Sequence, residues 1–145
     1  MSKLWIALLC ASSICAATGV EIWAGPDLKN SAGQLASEAE AKGIAGKTIG
    51  AASLWRRAKS GQAELHKTKT DLLIVEQGSA TLVFGGAIPD GKTTAPNEIR
   101  GTSIRGGESR KVEAGDIIRI PAGTPHQFVL DKGQSVAYFA LKIAR

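Results

Sequence analysis

One stretch of this sequence carries most of the information about its fold: Gly115-Asp116-Ile117-Ile118-Arg119-Ile120-Pro121-Ala122-Gly123-Thr124-Pro125-His126. A turn at Gly115 leads into a short strand rich in β-branched residues, and Pro121 ends that strand because proline has no N–H to donate to a neighbouring strand. Gly123 supplies a flexible turn position, and a second strand begins at His126. A histidine in this position either points into the mouth of a small β-barrel, where it could bind a metal, or simply caps a hairpin.

The glycine, proline and histidine residues in this stretch follow a defined spacing. Gly115, Pro121, Gly123 and His126 form the pattern Gly-x5-Pro-x-Gly-x2-His, which resembles the second motif of the cupin superfamily. In that family the histidine is usually a metal ligand. Leu130 stands where the family motif ends in asparagine. The resemblance implies an all-β fold, namely the cupin-type double-stranded β-helix, or jelly-roll barrel.

The first cupin motif is present in this chain but altered. In the family it reads His-x-His, three or four residues, Glu, six residues and Gly. Here Asp71 precedes Gly78 by the required spacing and stands in place of the glutamate, while His66 takes the second histidine position and Glu64 the first. The resemblance implies a metal site of His66, His126, Asp71 and Glu64, a donor set that suits Fe(II) and can also hold Mn, Ni, Co or Zn.

The altered first motif leaves a metal-free interpretation open. Aspartate reaches about one methylene less far than glutamate, and Asp71 could instead bond to Thr68 or Thr70 in its own turn. Some cupins have lost the metal and only bind ligands. The sequence therefore predicts either a divalent metal ion held by His66, His126 and a carboxylate, or a barrel that binds a small molecule without a metal.

Three further polar residues are candidates for binding a small-molecule ligand or substrate. Gln62 shares a strand face with the two ligand positions of the first motif, because side chains two apart point the same way. Tyr138 and Lys142 share one face of the last strand, where they could bind an anionic ligand or move a proton. Alternation does not decide whether this face lines the barrel or the opposite face, which carries Phe139 and Leu141.

Short segments with strand character, separated by turn signals, fill the chain after residue 47 and indicate a sandwich or barrel. The cupin resemblance covers the chain from about residue 61 to its end. A capping-box pattern at residues 31–34 predicts one short helix over residues 32–42, ended by Gly43 and packed on the outside of the barrel. The predicted strands are residues 48–57, 63–66, 72–77, 80–84, 99–104, 109–113, 116–120, 126–130 and 135–143.

A long segment, residues 87–98, interrupts this rhythm of strands and turns. It carries two prolines and little apolar content, and it is predicted as a long loop. Long loops in compact domains are often functional, which makes a lid over the site one interpretation. A plain surface insertion and a packing element in a dimer are the alternatives.

The N-terminus has the pattern of a secretory signal peptide. Lys3 precedes an apolar run over residues 4–17, and small residues follow; the run is short for a transmembrane helix, so that an uncleaved anchor is the weaker alternative. We expect a signal peptide over residues 1–19, a lead with the short helix over residues 20–46 and the barrel domain over residues 47–145. The processed protein would be exported, either periplasmic or secreted, with no stable membrane insertion. Both cysteines lie in the signal, which excludes disulfides and thiolate chemistry afterwards.

The charge pattern limits the partners that the protein could have. The formal net charge is +5, but the basic residues are spread along the chain as pairs, whereas nucleic-acid binding needs a dense basic face with aromatic groups. We therefore expect no nucleic-acid partner. Strand edges favour a homodimer, with the segment around Trp23 helping to cover an edge.

Two classes of function fit these observations. The first is a small metal-dependent enzyme, with dioxygenase, isomerase or lyase chemistry on a small polar substrate. The second is a non-catalytic module that holds a small molecule in the barrel. The fold alone does not choose between them, because one fold hosts many chemistries.

Overall fold

The computed structural model describes residues 14–15 and 20–144. The predicted signal peptide and its cleavage site therefore lie almost entirely outside the described residues. No helix within the described part of the chain has the length and apolar character needed to cross a membrane. The elements are helices α1 (Gly25–Gln34) and α2 (Ala36–Lys42) and strands β1 (Ile14–Cys15), β2 (Val20–Glu21), β3 (Ile44–Ile49), β4 (Ala52–Arg57), β5 (Ala63–His66), β6 (Lys69–Phe84), β7 (Lys92–Ala95), β8 (Glu98–Gly101), β9 (Glu108–Glu113), β10 (Ile117–Ile120), β11 (His126–Val129) and β12 (Val136–Ala144).

A single curled antiparallel sheet forms the body of the molecule. Its strand order is β3-β4-β12-β6-β11-β5-β8-β7, and β9 and β10 also pair with β6. The long strand β6 belongs to both halves of this sheet, because its first part pairs with β10 and β12 and its second part pairs with β9 and β11. Gly78 lies at the change-over with φ of +73°. The predicted all-β fold with a short N-terminal helix is confirmed, and its strands form a curled antiparallel sheet in the shape of a half-barrel.

The core lies between the two halves of the curled sheet. Phe128 on β11 stacks on Tyr138 on β12, with ring centroids 4.9 Å apart, so that aromatic packing joins the halves directly. Apolar side chains that alternate along each strand surround this pair, as expected when one face of each strand is buried. The buried members of this core are Leu73, Val75, Ala80, Leu82, Val112, Ile120, Phe128, Val136 and Tyr138.

The helical lead is longer than the sequence predicted. Instead of one helix over residues 32–42, α1 begins at Gly25 with a proline in its first turn, a position that proline favours. The predicted capping box does not form, because Ser31 lies inside α1 and is buried. Gly43 ends α2 with φ of +89°, as predicted.

The helices pack on the outer face of the sheet, and this packing shows which side chains of the last strand, β12, point outward. Ala32 of α1 packs on the outer face of the sheet against Leu54 and Ala137, with Phe139 at the edge of the cluster. The predicted packing of a helix outside the barrel is confirmed. Trp23 lies 6.1 Å from Phe139, ring centroid to ring centroid, and therefore covers a central strand of its own chain and not an edge strand.

Several predicted strands have different bounds in the structure. Residues 48–57 comprise the end of β3, a two-residue turn and β4, so that the single predicted strand is wrong. Residues 72–77 and 80–84 are instead joined in β6. The predicted loop over residues 87–98 contains β7, which pairs with β8. In the first part of this segment, Asp90 accepts hydrogen bonds from the backbone N–H and the hydroxyl of Thr102.

Candidate metal centre

Cross-strand pairing brings the site residues together at one end of the curled sheet. His126 on β11 lies opposite Glu64 on β5, and His66 on β5 lies opposite Glu98 on β8. Asp71, near the start of β6, lies opposite a lysine near the end of β12. Directly opposite residues in antiparallel strands have neighbouring side chains, so that five strands contribute to one cluster.

The four residues predicted as metal ligands are close together in the structure. The Asp71 Oδ2 atom is 3.2 Å from His66 Nε2 and 3.4 Å from His126 Nε2. On the other side, Glu64 Oε2 is 3.8 Å from His66 Nε2. The ligand atoms of Glu64, His66 and His126 lie within 4.8 Å of one another, an arrangement that could hold a metal ion. Both imidazoles and Asp71 are buried.

Hydrogen bonds on the far side of each ring orient the two imidazoles. His66 Nδ1 lies 2.5 Å from Glu98 Oε2, and His126 Nδ1 lies 3.0 Å from the backbone oxygen of Thr124. Because a carboxylate and a carbonyl are acceptors, we assign the ring proton to Nδ1 in both residues. Their Nε2 lone pairs then point into the cluster, which is the state in which histidine binds metals.

The cluster is thus a set of acceptor atoms that face one another. Two Nε2 lone pairs meet the carboxylate oxygens of Asp71 and Glu64, and like-signed partial charges at such distances repel unless a cation lies between them. Metal–ligand bonds of about 2.0–2.2 Å place neighbouring ligand atoms about 3–3.5 Å apart, which matches the separations around Asp71. The donor set of imidazole and carboxylate therefore fits a divalent transition-metal ion.

A lysine ammonium supplies positive charge to this cluster from the side. Lys142 Nζ is 2.7 Å from Asp71 Oδ1 and donates a second hydrogen bond to His66 Nε2 over 2.8 Å. The Lys142 side chain is 43% exposed, so that it reaches into the site from the solvent side. The face of β12 that carries Tyr138 and Lys142 therefore points to the inner side of the curled sheet. Phe139 lies on the opposite face, against the helices.

Two arginines complete a network of ion pairs around Glu64. Arg57 Nη2 lies 2.9 Å from Glu64 Oε1, while Arg57 Nε donates to the Tyr138 hydroxyl over 2.9 Å. Arg100 Nη1 lies 3.1 Å from Glu64 Oε2, and Arg100 Nη2 lies 3.3 Å from Glu98. Among the described residues, this Nη1 atom of Arg100 is buried without a well-aligned hydrogen-bond partner. Glu64 is therefore held mainly by arginines, and Asp71 is the carboxylate nearer both imidazoles.

The surroundings shift the pKa of Asp71 and the pKa of Tyr138. Burial alone would raise the pKa of Asp71, but the hydrogen bond and the positive charge of Lys142 act against burial and hold the pKa below its usual value. Burial raises the pKa of Tyr138, against the opposing effect of Arg57. Asp71 is therefore a carboxylate, and the hydroxyl of Tyr138 keeps its proton.

The three residues predicted to bind a small molecule occupy different environments. Gln62 is exposed and lines a cleft of about 370 Å³, together with Arg57, Lys59 and Glu64. Tyr138 is buried, and its hydroxyl is already engaged by Arg57. Of the three, and among the described residues, Lys142 alone is hydrogen-bonded to predicted metal ligands.

Glu98 and Arg100 were missed by reasoning from the sequence, although both belong to the cluster. Glu98 ends the segment predicted as a loop, and its place beside His66 depends on the pairing of β5 with β8, which no local pattern specifies. The β7–β8 turn sets this pairing, because Asn97 adopts φ of +65° and its carbonyl accepts the N–H of Lys67. Alternation of charged residues at 98 and 100 was the available signal.

Comparison with known proteins gives structural neighbours and no sequence relatives. No protein-family model matches the chain, and no curated protein matches it in sequence. The cupin domain of CENP-C from Drosophila melanogaster is 12% identical, with a TM-score of 0.47 over 67% of this chain and 63% of that chain.

Two enzymes illustrate the other neighbours. A predicted oxalate decarboxylase from Thermotoga maritima is 11% identical, with a TM-score of 0.49 over 70% of this chain and 79% of that chain. A polyketide cyclase from Streptomyces resistomycificus is 24% identical, with a TM-score of 0.44 over 61% of this chain. The present chain spans 50% of the length of that cyclase.

Proposed function

We propose that this protein binds one divalent transition-metal ion at the mouth of its barrel, through His66, His126 and Asp71, with Glu64 as a fourth donor. The convergence of two Nε2 lone pairs on Asp71 Oδ2, at 3.2 and 3.4 Å, carries this proposal. Hydrogen bonds to Glu98 and to a backbone carbonyl fix both rings in the orientation that a metal requires.

The same geometry supports binding of a small polar ligand beside the ion. A bound ion would supply Lewis-acid or redox chemistry, or lower the pKa of bound water, which suits dioxygenase, isomerase or lyase reactions. The protein's own residues would hold the ligand, and the cleft lined by Gln62, Lys59 and Arg57 offers polar and cationic groups to it. The positive charge of this lining favours an anionic ligand.

A second candidate function is a metal-free module that binds a small molecule. The contacts of Lys142 favour it, because its ammonium already neutralises Asp71 and satisfies His66 Nε2. Arg57 and Arg100 neutralise Glu64 in the same way. In this candidate the cluster is a structural ion network, and the ligand would bind in the cleft beside it.

We also propose that the protein is exported, with a signal peptide over residues 1–19, and that it acts in the periplasm or outside the cell. The short apolar run after Lys3 supports this proposal.

Metal analysis of histidine variants distinguishes the two candidate functions. Protein purified without added metal should take up about one Fe(II), Mn(II), Ni(II) or Zn(II) per chain, whereas His66→Ala and His126→Ala should each lose most of this metal because too few donors remain. Lys67→Ala, one residue from His66 and exposed, should keep full occupancy. Circular dichroism should show that all variants remain folded. Wild-type protein that takes up no stoichiometric metal would favour the metal-free module.

A further inference from the structure

The lysine beside the candidate metal centre has an unusual position. Lys142 Nζ donates to His66 Nε2 and to Asp71 Oδ1 at 2.8 and 2.7 Å, and both residues are in the proposed donor set. The lone pair of His66 Nε2 can serve either the ammonium or a metal, but not both at once. A metal ion at the site would also be repelled by an ammonium so close to its ligands.

The strand that carries this lysine allows the side chain to leave. Lys142 lies near the exposed end of β12, where residues 142–144 are all exposed, and its own side chain is 43% exposed. Rotation of a long, flexible side chain could move the ammonium into solvent without a change in the backbone. The two arginines differ in this respect, because each is tied to Glu64 and to a further partner.

We propose that Lys142 is an internal, displaceable cation that occupies the site in the metal-free protein and leaves it when a metal ion binds. This inference rests on the proposed metal function. In the metal-free state the ammonium separates acceptors that would otherwise repel one another, and so it stabilises the fold. In the metal-bound state the same side chain lies free at the mouth, where it adds positive charge beside the cleft. Lys142 therefore lowers the affinity of the site for metal and raises the metal concentration at which the site fills.

Replacement of the lysine by an uncharged side chain of similar length tests this inference. Lys142→Met keeps the apolar stem and removes the ammonium. It should bind Zn(II) at least about fivefold more tightly than wild type in a calorimetric titration, as expected for removal of a competing group. Its metal-free form should melt a few degrees lower. Lys67→Met, at an exposed lysine next to His66, should change neither quantity.

Two further variants make the result decisive. Lys142→Gln lacks the charge but keeps a hydrogen-bond donor, and it should also bind Zn(II) more tightly than wild type because the repulsion is gone, so that a folding failure of the methionine variant would not leave the question open. In the His66→Ala background, Lys142→Met should increase Zn(II) affinity by a smaller factor, because one of the two acceptors that Lys142 shares with the metal is gone.

The possible outcomes separate this inference from the proposed function. Equal Zn(II) affinity of wild type and Lys142→Met, or weaker binding by the variant, would overturn the inference and leave the proposed metal function standing. Binding by Lys142→Met but not by wild type would overturn the inference, because the lysine would then block the site permanently, and it would also contradict metal binding by the natural chain. Absence of binding by both proteins would overturn the displacement and the proposed function together.

Discussion

At the scale of single residues, the orientation of His66 depends on Glu98. The Glu98 carboxylate accepts a hydrogen bond from the Nδ1–H group of His66 and thereby directs the Nε2 lone pair toward Asp71. Carboxylates in this position raise the basicity of a metal-binding histidine and fix its ring. Glu98 also pairs with Arg100, so that the same side chain links the imidazole to the ion network around Glu64.

Loss of this carboxylate should weaken metal binding without removing a ligand. We expect Glu98→Ala to reduce the affinity for Zn(II) about 10- to 100-fold, the usual effect of removing such a partner, as measured by calorimetry. Glu108→Ala, at an exposed glutamate on β9, is the matched control and should bind like wild type. An unchanged affinity in Glu98→Ala would mean that Glu98 does not position the ring.

The sequence predicted the residues of the site that lie within its motifs. His66, Asp71 and His126 could be predicted because each stands at a position of a motif that resembles the cupin motifs, although they come together through the pairing of β11 with β5 and β6. Glu98 and Arg100 could not be predicted in this way, since they reach the site through a pairing of β5 with β8 that joins segments far apart in the chain. A single sequence contains no local signal for the register of such a pair.

At the scale of elements, the long strand β6 connects the two halves of the curled sheet. It changes partners at Gly78, whose φ of +73° is a conformation that residues with a Cβ rarely adopt. A Cβ at this position would also overlap the backbone oxygen of Ser135. The strand therefore requires glycine for two separate reasons.

A pair of glycine variants separates these two reasons. Gly115 also has a positive φ, +99°, but nothing lies within 4 Å of the position of its Cβ. Gly115→Ala should therefore lower the free energy of unfolding by about 1–2 kcal/mol, whereas Gly78→Ala should lower it by at least about 2 kcal/mol more, because its clash is with backbone. Urea denaturation measures both. Similar losses in the two variants would show that Ser135 can move aside.

The hydrophobic pattern and the residue propensities did not predict where β6 and α1 begin and end. The apolar alternation of residues 72–77 and 80–84 was recognised, but the turn signal at Gly78 suggested a break where the strand bends and continues. The start of α1 was missed because its N-cap, Ala24, makes no side-chain capping bond. This helix is stabilised instead by packing of Ala32 on Leu54 and Ala137, which is a tertiary effect.

At the scale of the whole molecule, the proposed export predicts a shortened chain. We expect protein recovered from the periplasm or the medium to begin near residues 18–20, because a signal peptidase cleaves after small residues that follow an apolar run. Intact-mass measurement tests this directly. A mass that still includes residues 1–17 would contradict cleavage and favour an N-terminal anchor.

Assembly is the second prediction at this scale. Strand β7 lies at one end of the sheet, and all four of its residues are exposed, so that its free backbone edge is available for pairing. We expect a homodimer formed through a strand edge. Light scattering should give twice the chain mass at tens of micromolar, and a monomer mass at that concentration would count against the prediction.

The central claim is that two Nε2 lone pairs converge on a carboxylate and form a cation site. The chain has only two histidines, so that ¹⁵N spectra of the imidazoles report on His66 and His126 without ambiguity. In metal-free protein at mildly alkaline pH, both rings should carry their proton on Nδ1, and one equivalent of Zn(II) should shift both Nε2 resonances. A proton on Nε2 in either ring, or spectra unchanged by Zn(II), would contradict the claim.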